Sequence, residues 1–153
     1  MGILSLHSPL GDLTLFEEDD HIIALEWGWG DRQQPSPLLI EAAQQVQDYF
    51  DGVRTLFDLP LNPHGSDFQK RAWSAISQIP YGTTQSYGEL AHKIGTKARA
   101  MGSACRTNPI PIIIPCHRVL SAQGNLTGYS GMGGLDSKAA LIRLEGIAPQ
   151  LPL

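Results

Sequence analysis

One cysteine of this chain has neighbours that could make it a nucleophile. Cys116 follows three isoleucines and a proline in the segment 112–121, I-I-I-P-C-H-R-V-L-S, and His117 comes directly after it. A thiol reacts as its thiolate, which a positive or hydrogen-bonding neighbour stabilises. Three prolines between Asn108 and Cys116 also restrict the backbone that leads to the sulfur. The pattern therefore predicts a rigidly held, reactive thiol.

A buried structural role is the ordinary interpretation of a lone cysteine, because free Cys often behaves as a small hydrophobe. Longer motifs favour chemistry instead. They are F-Q-K-R-A-W-S-A-I-S-Q-I-P-Y-G-T-T-Q-S-Y-G-E-L-A from Phe68, R-A-M-G-S-A-C-R-T-N-P from Arg99, N-P-I-P-I-I-I-P-C-H-R-V from Asn108, and T-G-Y-S-G with L-I-R-L-E-G further on. Together they resemble the motifs of the O6-alkylguanine-DNA alkyltransferases, also called the methylated-DNA-protein-cysteine methyltransferase family. The resemblance covers residues 68–146.

The resemblance implies an alkyl transfer in which Cys116 is the nucleophile. Because nothing in the sequence could remove the resulting thioether, each molecule is expected to act once. Moving an alkyl group from a base oxygen to sulfur requires an anionic nucleophile, a collinear approach and a proton for the departing base. The family pattern implies that His117 activates the thiol through a water and that Glu145 orients the imidazole. Tyr87 is implied to stand near the base, where it helps rotate a phosphate or donates the proton to the guanine. Without the resemblance, these three would be interpreted as ordinary core or surface side chains.

The substrate must leave the base stack, because a paired guanine cannot present its alkyl carbon in line with a buried thiol. The resemblance implies that Arg99 enters the duplex and fills the vacated space, on a recognition helix that uses the minor groove. Ala100 is a small neighbour that permits close approach to the backbone, and Arg106 belongs to the same basic segment. We therefore expect alkylated double-stranded DNA as the partner and these three residues as its contacts. The alternative for Arg99 is an ordinary phosphate contact.

Backbone groups are implied to recognise the guanine, namely the carbonyls of Cys116 and Val119 and the amide of Ser130. Tyr129 and Ser130 lie in a glycine-rich loop, 128–134, which carries a two-residue extension relative to the commoner family pattern. Because this loop is expected to shape the alkyl pocket, the range of alkyl groups accepted stays open.

Two positions beside the nucleophile complete the expected site. Asn108 matches the hinge asparagine of the family, which braces the turn between the recognition helix and the active-site segment and belongs to the predicted substrate-binding set. Cys105 stands where many relatives have a larger apolar residue that packs on the base. A bridge between Cys105 and Cys116 would silence the nucleophile, so both thiols are predicted to be reduced.

Charge is distributed unevenly along the chain, whose net charge is −4. Residues 1–63 contain eleven Asp or Glu against Arg32 and Arg54, a net charge of −9, whereas residues 64–118 contain seven Lys or Arg against Asp67 and Glu89, a net charge of +5. This asymmetry favours two functional regions, with polyanion contact confined to the second. Ordinary solvated charge is the alternative.

Composition excludes several classes of protein. The 153 residues are 42% hydrophobic, which suffices for a core. No apolar run reaches the length of a membrane span, and no basic segment precedes an apolar one at the N-terminus. These features predict a cytoplasmic protein without membrane contact. Closely spaced Cys or His ligands and phosphate-binding glycine loops do not occur, so no metal and no cofactor are expected.

The predicted fold class is α+β, with a small α/β domain over residues 1–63 followed by a helical domain over residues 64–153. The resemblance implies a ribonuclease H-like first domain. Its apolar alternation predicts three antiparallel strands and one amphipathic helix that ends before Gly52, with a possible extra strand at 55–59. In the second domain, Ser66 and Gln69 fit a capping box. Two short helices around Gly95 resemble a helix-turn-helix.

Three other functions remain as alternatives. A non-catalytic lesion sensor of the alkyltransferase-like type would have replaced Cys116, which this chain retains. A cysteine hydrolase would need an oxyanion hole and usually a histidine distant in sequence. A transcriptional regulator would need a dimerisation or ligand-sensing segment. The preferred interpretation is a monomeric DNA repair alkyltransferase, and cooperative binding along DNA stays open.

Overall fold

A computed structural model describes residues 1–124 and 134–147 of the chain. They belong to two compact units, Met1–His64 and Gly65–Leu153. The first unit contains an antiparallel sheet in the order β1-β2-β3. Its elements are β1 (Gly2–Leu6), β2 (Leu13–Glu18), β3 (His21–Trp27) and the helix α1 (Pro37–Phe50). The three predicted strands and the predicted helix are confirmed.

Burial of one face of the sheet explains why these strands form. Leu13, Leu15 and Ile22 are fully buried, and α1 contributes Leu39 and Val46 to the same unit's core. Alternation of apolar and polar residues places such side chains on one face of a strand. The helix starts where the Ser36 side chain accepts a hydrogen bond from the Leu39 amide, at 3.1 Å.

The expected strand at 55–59 is wrong, because no strand forms there. The Gln45 side chain of α1 occupies the backbone groups that a neighbouring strand would have used. Its Nε2 donates to the Asp58 carbonyl at 3.2 Å, and its Oε1 accepts from the Asp58 amide at 2.9 Å. The chain just after this segment pairs with the sheet through an isolated bridge between Ile22 and Leu61.

The second unit is mainly helical in the residues described, and short strands hold the active-site segment within it. Its elements are α2 (Asp67–Ser77), β4 (Gln85–Ser86), α3 (Tyr87–Ile94), α4 (Ala98–Arg106), a 3-10 helix (Cys116–Arg118), β5 (Val119–Leu120) and α5 (Leu135–Leu144). Strands β4 and β5 pair in parallel, with Gln85 opposite Val119. The start of α3 therefore lies beside the residues that follow the cysteine. The predicted α+β fold class is confirmed.

Local capping signals define the helix starts. The predicted capping box of Ser66 and Gln69 forms at α2, and a second box of Ser86 and Glu89 forms at α3. Helix α3 ends at Gly95, whose φ of 76° requires the left-handed conformation that glycine adopts at low cost. Helices α3 and α4 form the expected helix-turn-helix.

The segment that leads to Cys116 is packed and conformationally strained. Residues 110 and 112–114 are isoleucines, and all four are buried. Ile112 has a φ of 76°, which is a costly conformation for a β-branched residue. The turn is closed by a hydrogen bond from the Ile114 amide to the Ile110 carbonyl, at 2.9 Å. Buried packing therefore holds a backbone shape that this sequence would not adopt alone.

Replacing Ser66 by Ala should destabilise the second unit. The substitution removes the hydroxyl that accepts from the Gln69 amide at 3.1 Å, and loss of such a cap costs about 1 kcal/mol. Denaturant unfolding measures the change, with exposed Ser74→Ala in the interior of α2 as the control. Equal unfolding free energies for the two variants would contradict the role assigned to the cap.

Candidate active site

Cys116 begins the 3-10 helix and is 1% exposed. The side chain of Asn108 organises the turn before it. Its Nδ2 donates to the Ile114 carbonyl at 2.9 Å and to the Cys116 sulfur at 3.2 Å, while its Oδ1 accepts from the Ile110 amide at 2.9 Å. One buried amide thus joins the two ends of the turn and contacts the sulfur. A donor directed at sulfur favours the thiolate over the thiol.

His117 and Glu145 form a fully buried pair. The distance from Nε2 of His117 to Oε2 of Glu145 is 2.6 Å, and neither side chain is exposed to solvent. Burial lowers the pKa of His117, and the bond to Glu145 opposes that change. The imidazole is therefore neutral at pH 7, with Nε2–H donating to the carboxylate and Nδ1 carrying the lone pair. Among the described residues, Nδ1 has no hydrogen-bond partner.

Arg118 binds the same carboxylate with two nitrogens. Its Nε donates to Oε1 of Glu145 at 2.8 Å and its Nη2 donates to Oε2 at 3.0 Å, while Nη1 donates to the Ile79 carbonyl at 2.7 Å. The Gly82 amide also donates to Oε1, at 3.2 Å. The carboxylate of Glu145 thus accepts from three residues of the fold. The guanidinium also lies 5.7 Å from the centre of the Tyr81 ring.

This arrangement corrects one expectation from the charge distribution. Arg118 was counted among the seven basic residues of the segment 64–118 that were expected to contact a polyanion. Arg118 is buried and paired with Glu145. The other basic side chains of the segment are exposed, and they are Lys70, Arg71, Lys93, Lys97, Arg99 and Arg106. Motif position alone could not separate the internal arginine from the external ones.

Lys138 is a site residue that sequence reasoning missed. It lies on α5 with 0% exposure, and its Nζ donates to the Tyr87 hydroxyl oxygen at 3.4 Å. Burial lowers the pKa of Lys138 to about 8, although the two cysteines oppose this change. A sequence signal existed, because Lys138 precedes Glu145 by two helical turns and therefore shares its helix face.

The second cysteine is a buried thiol on α4. Cys105 is 1% exposed, and both cysteines are free. Burial and, to a smaller extent, the neighbouring Cys116 raise the pKa of Cys105 to about 12, although Lys138 and Arg106 oppose this change. Cys105 is therefore a neutral thiol at pH 7, which suits packing better than nucleophilic attack.

The predicted DNA contacts line two openings beside α4, and Arg99 lines both of them. A cavity of about 390 Å³ is lined by Tyr87, Arg99 and Arg106, among others. A second opening of about 710 Å³ is lined by Lys97, Arg99 and Ala100, among others. Arg99 therefore stands between a groove that extends along the turn and a cavity that reaches the tyrosine.

The remaining predicted residues are only partly within the described structure. Val119 is buried in β5. Tyr129, Ser130 and most of the loop 128–134 lie outside the described residues. Within the part of the chain that is described, no cluster of three or more His, Cys, Asp or Glu could hold a metal ion. None of the described helices combines the length and apolar character needed to cross a membrane.

A buried cysteine, a histidine–carboxylate pair and a basic helix-turn-helix define a thiol-bearing protein suited to nucleic acid. Comparison with known families agrees with this class. The family model of the DNA binding domain of 6-O-methylguanine DNA methyltransferase matches residues 67–147, and that of its ribonuclease-like domain matches residues 4–63. The chain belongs to the 6-O-methylguanine DNA methyltransferase family. The ribonuclease-like character expected of the first domain is confirmed.

Individual relatives extend over nearly the whole chain. The constitutive methylated-DNA–protein-cysteine methyltransferase of Bacillus subtilis is 40% identical over 92% of this chain and 93% of its own length. The corresponding protein of Mycobacterium bovis is 53% identical, over 92% of this chain and 90% of its own. A crystal structure of the Mycobacterium tuberculosis protein in complex with DNA has a TM-score of 0.85 and 43% identity, covering 98% of this chain and 96% of that one.

His117 should make the stability of the protein fall in mild acid. Its pKa is lowered in the folded state, so below about pH 6.5 the unfolded chain binds the proton first and folding loses stability as pH falls. One such group changes the unfolding free energy by at most about 1.4 kcal/mol per pH unit. Denaturant unfolding between about pH 5 and about pH 7 measures the slope.

The variant His117→Asn should show a shallower slope than the wild type in this window, and the same substitution at exposed His92 is the matched control. Identical slopes for the wild type and His117→Asn would mean that the folded protein protonates His117 as readily as the unfolded chain does.

Proposed function

We propose that this chain repairs O6-alkylguanine in double-stranded DNA by transferring the alkyl group irreversibly to Cys116. The observation that carries the proposal is the contact of a buried thiol with Asn108, directly before the His117–Glu145 pair and in the same unit as a basic helix-turn-helix. The names of its relatives describe proteins that act on methylated DNA and on a protein cysteine. Family membership and site chemistry thus agree.

The transfer begins with ionisation of the thiol. The proton of Cys116 passes through a water to Nδ1 of His117, the ring nitrogen left without a partner among the described residues. The resulting imidazolium is stabilised by Glu145, 2.6 Å from Nε2. The Asn108 amide stabilises the thiolate that remains.

The thiolate then displaces guanine from the alkyl carbon. A carbon–sulfur bond forms as the bond between carbon and O6 breaks, and the electron pair of the broken bond stays on the guanine. The Tyr87 hydroxyl supplies the proton that neutralises the departing base. Tyr87 suits this role because it lines the cavity that Arg99 also lines.

Access to a paired guanine requires that the nucleotide be flipped out of the duplex. Arg99 projects from α4 between two openings and takes the place of the flipped base, while Ala100 lines one of these openings and Arg106 lines the other. The carbonyl of Val119, the amide of Ser130 and the loop that includes Tyr129 complete guanine recognition. These assignments rest on their positions in the family motifs.

The working form of the protein is a monomer in the cytoplasm. A reducing compartment suits a protein whose two cysteines are both free and whose function requires one of them as a thiolate. Residues 1–63 act as the supporting domain, and residues 64–153 carry DNA contact and chemistry. Titration of a long duplex would measure whether binding along DNA is cooperative.

Incubation with excess duplex containing O6-methylguanine should give one equivalent of product for each active protein and then stop. The mass of the protein should rise by one methyl group on the peptide that contains Cys116. Cys116→Ala should give no product yet still bind the methylated duplex, and Cys105→Ala should retain the burst. Product formation far beyond one equivalent would refute the single-use reaction.

Replacing Arg99 by Ala should separate access from chemistry. Repair of a methylated duplex should slow by an order of magnitude or more, whereas reaction with free O6-methylguanine base should change little, because only the duplex needs a residue to fill the vacated space. Single-turnover rates on both substrates measure this. Arg143→Ala, which removes an exposed arginine from α5, is the charge-matched control. Equal slowing on both substrates would indicate a damaged fold instead.

A further inference from the structure

A lysine with no exposure to solvent is an uncommon feature of a protein core, because burying an ammonium is costly unless the fold compensates it. Lys138 is 0% exposed and lies on α5, the helix that ends directly before Glu145. The adjoining residues Ala139, Leu141 and Ile142 are buried apolar side chains. A leucine or methionine would satisfy this packing without the cost, so the charge calls for a functional explanation.

The groups around Lys138 belong to the reaction site. Its Nζ donates to the hydroxyl oxygen of Tyr87 from α3 at 3.4 Å and lies 5.7 Å from the centre of that ring. The other titratable groups that its charge affects are Cys105 from α4, and Cys116 and His117 from the 3-10 helix. A single cation therefore acts on the nucleophile, the neutral thiol, the proton acceptor and the phenol.

We propose that Lys138 is a positioning residue for alkyl transfer, whose buried ammonium stabilises the Cys116 thiolate and holds Tyr87 as the proton donor. This inference rests on the proposed function. In the thiolate state the ammonium lies in the field of an anion, and in a medium of low dielectric that attraction is strong. The same ammonium donates to the phenol oxygen and so orients the phenol to donate its own hydrogen to the guanine.

The protons and electrons of the reaction balance if Lys138 contributes its positive charge and transfers no proton. The thiol proton goes to His117, the thiolate forms its bond to carbon, and the electron pair of the broken carbon–oxygen bond goes to guanine. Tyr87 gives its proton to that base and becomes a phenolate, which the ammonium of Lys138 stabilises. Exchange with solvent then returns a proton to Tyr87 and removes one from His117.

Lys138 does not by itself distinguish the two neighbouring thiols. The pKa of Cys105 is about 12 despite the lysine, because burial dominates it. Cys116 has an additional donor, the Nδ2 of Asn108 at 3.2 Å. The ammonium favours the charged form of both thiols, so the Asn108 donor is what distinguishes Cys116.

The charge of Lys138 gives the proposal a signature that packing would not produce. Its pKa is lowered to about 8, so the ammonium is present below that pH and is lost as pH rises through it. The rate advantage that the charge confers should therefore be largest below about pH 8 and should shrink above it. A purely structural role would lower the rate by a factor that does not depend on pH.

The test compares single-turnover alkylation of wild type, Lys138→Met and Lys138→Arg with free O6-methylguanine base, from about pH 6 to about pH 10. The free base removes DNA binding from the measurement. Arg143→Met changes an exposed cation on the same helix and is the matched control. Far-ultraviolet circular dichroism and denaturant unfolding give the folded fraction of each variant, to which every rate is normalised.

We expect wild type to react about tenfold or more faster than Lys138→Met at pH 7, with a ratio that approaches one above about pH 9. Lys138→Arg, which stays charged, should react faster than Lys138→Met and hold that advantage above pH 8. A ratio of one throughout, or a ratio that stays constant across the pH range, would overturn the proposal.

Two further outcomes are interpretable. If Lys138→Met does not fold, Lys138→Arg decides: a rate relative to wild type that rises above about pH 8 supports the role of charge, and an unchanged ratio overturns it. If wild type itself gains no alkyl group on Cys116, the proposed function fails. Normal alkylation of wild type together with a pH-independent ratio would remove only the role of Lys138.

Discussion

The fold of the second unit depends on one buried carboxylate. The side chain of Glu145 has no solvent contact and accepts hydrogen bonds from His117, from two nitrogens of Arg118 and from the Gly82 amide. Removing such a group from water costs several kcal/mol unless its lone pairs are satisfied. Donors from the 3-10 helix and from the turn before β4 compensate this desolvation, and they fix the position of the C-terminal end of α5.

The same network determines the protonation state on which the chemistry depends. Because Arg118 balances the charge of Glu145, the carboxylate orients the imidazole without an unpaired negative charge beside it. Burial then keeps His117 neutral, ready to accept a proton at Nδ1. Lys138, two turns earlier on α5, brings a cation to the other partners of the reaction. Helix α5 and the residue that follows it therefore position both Glu145, which orients the proton acceptor His117, and Lys138, which contacts the proton donor Tyr87.

Local rules predicted much of this fold, and long-range contacts account for the errors. The Ser66 capping box and the three strands depend on residues close in sequence, and both are confirmed. The strand expected at 55–59 failed because the amide of Gln45, distant in sequence, satisfied its backbone. The burial of Arg118 and Lys138 was not predicted, because hydropathy alone places every cation at the surface. Their burial depends on partners distant in sequence, the Glu145 carboxylate for Arg118 and the Tyr87 phenol for Lys138.

Proximity of a second thiol does not make the reaction reversible. Asn108 lies next to both cysteines. Its backbone N–H donates to the Cys105 carbonyl at 3.4 Å, and its side-chain Nδ2 donates to the Cys116 sulfur. Cys105 could exchange with a disulfide at Cys116, since thiolates attack sulfur–sulfur bonds. A thioether offers no such bond, and burial keeps Cys105 protonated in any case. Among the described residues the fold therefore provides a thiol that is activated for one forward displacement and no group for the return step, as the proposed single-use repair requires.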